Sequence, residues 1–410
     1  MVTVLRGGIT EVPGFLAAGV RAGIKRRGPD LMLIVSDGGP VPAAGAFTSN
    51  RVKGAPLVVT RKHLKEGRLG AVVANSGISN AYTGRRGLRD AYRMAQITAK
   101  LLKLRTKDVG VASTGIIGSY LPMSKIESGI RVAVSRLSSS REASINAARA
   151  IMTTDTVPKE IAVRLKLDDG TPATIAGIAK GAGMVRPNLR TATMLAFLVT
   201  DVEITPEALR TSLQKAIDQS FNMVNIDNDM STSDMVLIMA NGLAKNRCIT
   251  LQRGDKRFQL ALNHVLTELA RMIARDGEGA TRLIEVHIKN AFSLKEAQSA
   301  ARTVVGSNLV KAAVFGKDPN WGRIVAALGN SNARFDPSRL SLDLANEQGR
   351  VSLVKKGVPA SKRVLERARE IMGSREIEIH VDLAAGKYDA TAWGCDLTYD
   401  YVRINSRYTT

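Results

Sequence analysis

Short apolar runs alternate along the chain with longer stretches of helical periodicity. Leu31 to Val35 reads as a strand, and residues 88 to 104 place Leu88, Tyr92, Ala95 and Leu102 at helical spacing. An alanine-rich helix over residues 141 to 152 runs into the polar cluster Thr153-Thr154-Asp155-Thr156. Residues 194 to 200 are apolar almost throughout and of strand length, which predicts a central strand covered on both faces. Thr205 as N-cap and Pro206 at the first helical position open a helix that lines up Leu209, Leu213 and Ile217. A further helix is expected from about Phe258 to Arg275, stopping at Asp276-Gly277 before the alternating strand 283–289. Ser293 and Glu296 form a capping box for the next helix, and Ser361 and Gly373 bracket another before the alternating strand 376–383. The C-terminal stretch alternates through Tyr399, Tyr401 and Ile404, which argues for an end tied down in a sheet rather than a frayed tail. The whole is an α/β rhythm without internal repeats or a Pro- or Ser-rich linker.

Composition narrows this picture. At 410 residues, 44% hydrophobic and 23% charged, the chain has the make-up of an ordinary globular protein long enough for a large core. Aromatics are only 4%, so that core is expected to be packed from Ala, Val, Ile and Leu. The net charge of +22 raises nucleic acid as a partner, since a positive field attracts polyanions. The Lys and Arg residues are spread rather than blocked, however, and few aromatics are available to stack on bases, so no nucleic-acid partner is expected. A field that steers small carboxylates uses the same charge equally well. Cys248 and Cys395 have no CxxC spacing and no His nearby, which indicates neither a zinc site nor a disulfide framework. No leader-like N-terminus and no long apolar window are visible, so a cytoplasmic protein without membrane contact is expected.

Chemistry is concentrated in a few segments. Between Lys180 and Phe197 a glycine-rich turn leads through a Pro-Asn loop to the Ala192-Thr193 step and then into the buried strand. In isolation such a step is an ordinary β-branched strand start. A threonine hydroxyl is a weak nucleophile that needs a base. Cutting the Ala192–Thr193 bond would supply one, a new α-amine with an ordinary pKa of about 8. Asp227, Asp229 and Asp234 form an acidic stretch, but it lacks the glycine and terminal glutamate of a calcium loop, and no metal is expected.

The segment from Lys180 resembles the self-processing site of the ornithine acetyltransferases of arginine biosynthesis (glutamate N-acetyltransferases), whose pattern runs KGxGM, then PN, then ATML. The resemblance extends in the family's order from Gly8-Ile9-Thr10 and residues 13–23, through 220–234 and 315–324, to Thr410. It implies cleavage between Ala192 and Thr193, with Thr193 as nucleophile. The pair Arg190-Thr191 is an insertion relative to the family spacing and makes Thr191 a rival. By the same resemblance Thr114 and Gly115 form an oxyanion hole. Thr153 (with Thr154 next in line), Lys180, Thr193, Glu278, Asn405 and Thr410 bind substrate.

The implied fold is α/β, with sheets layered between helices as in the ornithine acetyltransferase and DmpA-like self-processing proteins, and a C-terminal α/β portion. Residues 1–192 would be the alpha chain and 193–410 the beta chain. Within the latter, about 193–280 would complete the first layer and about 281–410 would form the second portion. The implied reaction moves acetyl from N-acetylornithine to glutamate by a ping-pong route without a bound cofactor, with acetyl-CoA a candidate second donor. The implied partners are these small molecules and the sister chain, in a heterotetramer. Two other readings stay open: a self-processed amidohydrolase or aminopeptidase using the same threonine with water as acceptor, and a basic nucleic-acid-binding protein.

Overall fold

The computed structural model of the protein describes residues 2–186 and 194–407. Three sheets organise the described residues. In spatial order the largest runs Thr3–Leu5, Lys159–Lys166, Pro172–Lys180, Leu195–Thr200, Met235–Ala240, Val41–Phe47 and Arg68–Leu69. A four-stranded sheet comprises Phe15–Val20, Leu31–Ser36, Ala71–Ile78 and Val109–Ile116. A six-stranded sheet runs Val358–Pro359, Gly349–Lys355, Ser341–Asn346, Glu376–Asp382, Leu283–Ala291 and Tyr388–Cys395.

The inner strands are apolar at nearly every position because a period of two sends alternate residues into two different cores. In Leu195–Thr200, the side chains of Leu195, Phe197 and Val199 enter a core shared between the seven- and four-stranded sheets. Ala196 and Leu198 face the opposite core, against helices Pro206–Asp218 and Lys256–Arg275. The strand Leu31–Ser36 divides the same way. Met32 and Ile34 enter the shared core, while Leu31, Leu33 and Val35 pack on helices Ala55–His63, Gly84–Leu102 and Met123–Ser135. The result is a stack of helices, sheet, sheet and helices: the periodicity predicts its α/β character, and the family resemblance implies the layering. The six-stranded sheet adds its own layer by burying Ile284, Val286 and Ile288 with Ala297, Ala300 and Val304 of helix Leu294–Val305.

Helix starts follow the capping residues. The side chains of Thr205 and Ser293 accept hydrogen bonds from Ala208 N and Glu296 N. The C-terminus differs from expectation: Tyr399–Ser406 is a helix rather than a strand. Thr398 caps it by accepting from Tyr401 N at 3.3 Å, and Asp400 sits in the first turn where the helix dipole favours an acid. The alternation of aromatics was misleading because Tyr399 is 75% exposed and faces no core.

Register fixes what meets at the edge of the stack. Leu195 pairs with Lys180 on one side and with Met235 on the other. In the facing sheet Ser76 pairs with Thr114 and Gly77 with Gly115. Because Phe197 fills the shared core from the middle strand and is 2% exposed, Phe197→Ala is expected to cost about 3–5 kcal/mol. Urea unfolding of the two proteins measures it, and a loss below about 1 kcal/mol would contradict the central placement of this strand.

Candidate active site

The seven-stranded sheet brings the end of one strand, at Lys180, beside the start of the next, at Leu195, and beside Asp234 at the head of a third. From the facing sheet, strand Val109–Ile116 delivers Thr114 and Gly115 to the same place. Thr153 and Thr154 follow helix Arg141–Ala150, Glu278 follows helix Lys256–Arg275, and Asn405 comes from the C-terminal helix. Together with Gly183, Met184, Met194, Ser231 and Ser233 these residues enclose a cavity of about 110 Å³. Thr114, Gly115, Thr153, Lys180, Glu278 and Asn405 are therefore brought together from separate parts of the chain. Ala192, Thr193, the rival Thr191 and Thr410 lie outside the described residues, although Met194 and Leu195, which follow Thr193, line the cavity.

Two glycines are dictated by close approach. Gly115 has φ +127°, and a Cβ there would lie 2.3 Å from the backbone of Gly77 on the neighbouring strand. A Cβ on Gly183 would lie 2.2 Å from the Glu278 carboxyl group. The second glycine of the Lys180 motif thus leaves room for a carboxylate that reaches in from another helix end. Asn405 Nδ2 donates to Glu278 Oε2 at 2.7 Å, and Glu278 N donates to Ala182 O at 2.8 Å, so both ends of this acid are fixed.

Lys180 is buried, and its Nζ donates to Thr114 Oγ1 at 3.2 Å. Burial pulls its pKa below the ordinary lysine value, partly opposed by Asp155. Asp155 is the organiser that sequence reading passed over as part of a helix end. Its Oδ1 takes Lys159 Nζ at 2.7 Å and Gly181 N at 2.7 Å, and its Oδ2 takes Thr153 N at 3.0 Å. Lys159 also reaches Asp276 at 2.6 Å. Burial alone would raise the Asp155 pKa, but Lys159 and Lys180 outweigh it and hold the carboxyl down at about 2. The available signal was the spacing of Asp155 and Lys159, four residues apart, in a segment with no helical continuation. Lys25 contributes a further cation here, with Nζ 2.8 Å from Met152 O.

The acidic stretch after Phe221 is used internally. Asp227 accepts from Met184 N at 2.5 Å and Val185 N at 2.9 Å, and Tyr401 Oη lies 3.4 Å away. Its carboxylate shapes the glycine-rich turn and ties the C-terminal helix to it. What results is a small enclosure with a buried lysine, hydroxyl donors at a strand end and a fixed carboxylate opposite. Such a site can hold a zwitterion and stabilise an oxyanion.

A model of the ArgJ family matches residues 16–410. The chain is 51% identical over 410 residues to an arginine biosynthesis bifunctional protein ArgJ of Symbiobacterium thermophilum, covering 99% of each chain. It is 48% identical over 409 residues to a glutamate N-acetyltransferase of Methanothermobacter thermautotrophicus, covering 99% of this chain and 98% of that one. Among solved structures, ornithine acetyltransferase complexed with ornithine from Mycobacterium tuberculosis is 42% identical at a TM-score of 0.44, covering 46% of this chain and 100% of that chain.

The pH behaviour of Asp155 has a definite sign. Its folded pKa lies below the ordinary 3.8, so its contribution is present above that value and is lost as pH falls toward 2. Asp155→Asn is expected to lower stability by about 2 kcal/mol at neutral pH, with the gap closing as the solution is acidified below pH 4. Denaturant unfolding of both proteins across that range measures the difference, and a gap that stays constant with pH would disprove the assignment.

Proposed function

This chain belongs to the ArgJ family, and on that premise we propose that it is a self-processed acetyltransferase of arginine biosynthesis, moving acetyl from N-acetylornithine to glutamate. The observation that carries this reading is the convergence of Thr114, Gly115, Thr153, Lys180, Glu278 and Asn405 on one cavity, at the strand start that follows Thr193.

In the first step the Thr193 hydroxyl attacks the carbonyl carbon of Ala192, and the acyl group shifts from nitrogen to oxygen. Water then hydrolyses the ester, leaving a carboxylate at Ala192 and a free α-amine on Thr193. That amine, adjacent to the hydroxyl, takes the hydroxyl proton when Thr193 attacks the acetyl group of N-acetylornithine, and gives it to the departing ornithine amine. Glutamate's amine then attacks the acetyl ester, its proton returns through the same amine, and N-acetylglutamate leaves.

Each attack places negative charge on the former carbonyl oxygen. Because Lys180 Nζ donates to Thr114 Oγ1, the Thr114 hydroxyl proton is free to point at that oxyanion, alongside the Gly115 backbone. Glu278, held by Asn405, pairs with the substrate ammonium, and Thr153 and Thr410 complete substrate binding. The reaction draws on no bound cofactor, and acetyl-CoA as a second donor would load the same threonine. The cleaved alpha and beta chains act in the cytoplasm as a heterotetramer.

The intact mass of the purified protein under denaturing conditions, with N-terminal sequencing of the smaller pieces, tests the reading. Pieces corresponding to 1–192 and 193–410 are expected. A fragment beginning at Thr191 moves the nucleophile, and a stable uncut chain overturns the mechanism. Thr114→Ala is expected to lower kcat by about 10²–10³ while leaving KM for N-acetylornithine within a few-fold. Release of free acetate in place of acetylglutamate would assign the protein to hydrolysis instead.

A further inference from the structure

The face of the six-stranded sheet turned away from helix Leu294–Val305 holds a second, half-buried cluster of chemically capable side chains. Strands Leu283–Ala291 and Glu376–Asp382 run parallel, with Glu285 opposite Glu378 and His287 opposite His380. Both glutamates and both histidines therefore stand on one face, two residues apart on each strand. The imidazole rings stack with centroids 4.4 Å apart and planes at 13°. Donor atoms of His287, Glu378 and His380 all lie within 4.8 Å of one another.

We propose that His287, His380 and Glu378, with Glu285 as a weaker fourth donor, form a binding site for a divalent transition metal of the zinc class. Tetrahedral zinc with ligands about 2.0–2.1 Å away needs donor atoms separated by roughly 3.3 Å. Here His380 Nε2 is 2.7 Å from Glu378 Oε2, and His287 Nε2 is 3.3 Å from Glu285 Oε1 and 3.9 Å from Glu378 Oε2. These separations lie on either side of the required value, and the two stacked rings would have to turn out of their near-parallel arrangement for both nitrogens to face one ion. Arg271 Nε, 3.3 Å from Glu285, competes for that carboxylate and makes it the weakest ligand.

Two further features fit a metal. His287 Nδ1 lies 3.1 Å from Thr391 Oγ1, the outer hydrogen bond that orients a ligating imidazole. His380 Nδ1 is buried without a hydrogen-bond partner, so the cluster does not satisfy itself. Asp343 stands opposite His380 on the next strand. None of these residues lines the cavity at Lys180. The ion would pin two central strands of this sheet to each other.

The test uses the whole purified protein, stripped with a chelator and titrated with Zn²⁺ against a chromophoric competitor. One equivalent is expected to bind and to raise the thermal midpoint by several degrees. His287→Asn and His380→Asn should each weaken binding about tenfold or more. His264→Asn, on helix Lys256–Arg275 away from the cluster, should leave it unchanged. Co²⁺ added to the unmodified protein should give visible absorption of a nitrogen- and oxygen-ligated ion, which decides the matter even where a variant fails to fold. Equal zinc affinity in the parent and the two asparagine variants, no saturable equivalent, or a thiolate charge-transfer band implicating Cys248 or Cys395 would each overturn the site.

Discussion

The buried carboxylate of Asp155 is the contact on which the rest of the cavity's architecture depends. An isolated charge would be very costly in this interior, and even a buried ion pair often fails to recover the cost of leaving water. Asp155 meets that cost by filling its lone pairs with Lys159 Nζ, Gly181 N and Thr153 N. Each partner belongs to a different part of the floor beneath the cavity. Lys159 opens a strand of the large sheet and carries the link on to Asp276 at the end of a long helix. Gly181 follows Lys180, and Thr153 follows the helix that borders the shared core. One negative charge thus sets the position of a cavity-lining threonine, a buried amine and the helix end that projects Glu278.

The packing that supports this floor follows from simple alternation. Strands such as Leu195–Thr200 and Leu31–Ser36 are apolar on both faces because each separates two cores, and their small side chains let the sheets and helices lie close. That much was legible in the sequence. The continuous apolar run after Thr193, of strand length, pointed to a strand covered on both sides, and Thr205, Ser293 and Pro206 mark helix starts by their own chemistry.

The remainder was legible only in part, for physical reasons. Thr114, Lys180, Glu278 and Asn405 are far apart in the chain, and no local pattern brings them together; the resemblance of their motifs to a family did. Asp155 was hidden because a polar residue after a helix is so often just the end of that helix. The C-terminal aromatics alternate like a strand, yet the useful spacing was that of Tyr401 and Asn405, four apart and directed at Asp227 and Glu278. A period of two and a period of four agree over so short a stretch, and tertiary contacts chose between them.

The order of strands in the large sheet has a consequence for how the molecule can be taken apart. Leu195–Thr200 and Met235–Ala240 lie side by side, flanked by Pro172–Lys180 on one edge and Val41–Phe47 on the other. Material from after residue 193 is therefore a wedge driven into a sheet built from material before residue 187. Withdrawing it would break two full ladders of backbone hydrogen bonds and open both faces of the shared core at once. The segments on either side of residues 187–193 are thus joined by continuity of the sheet as well as by the peptide backbone.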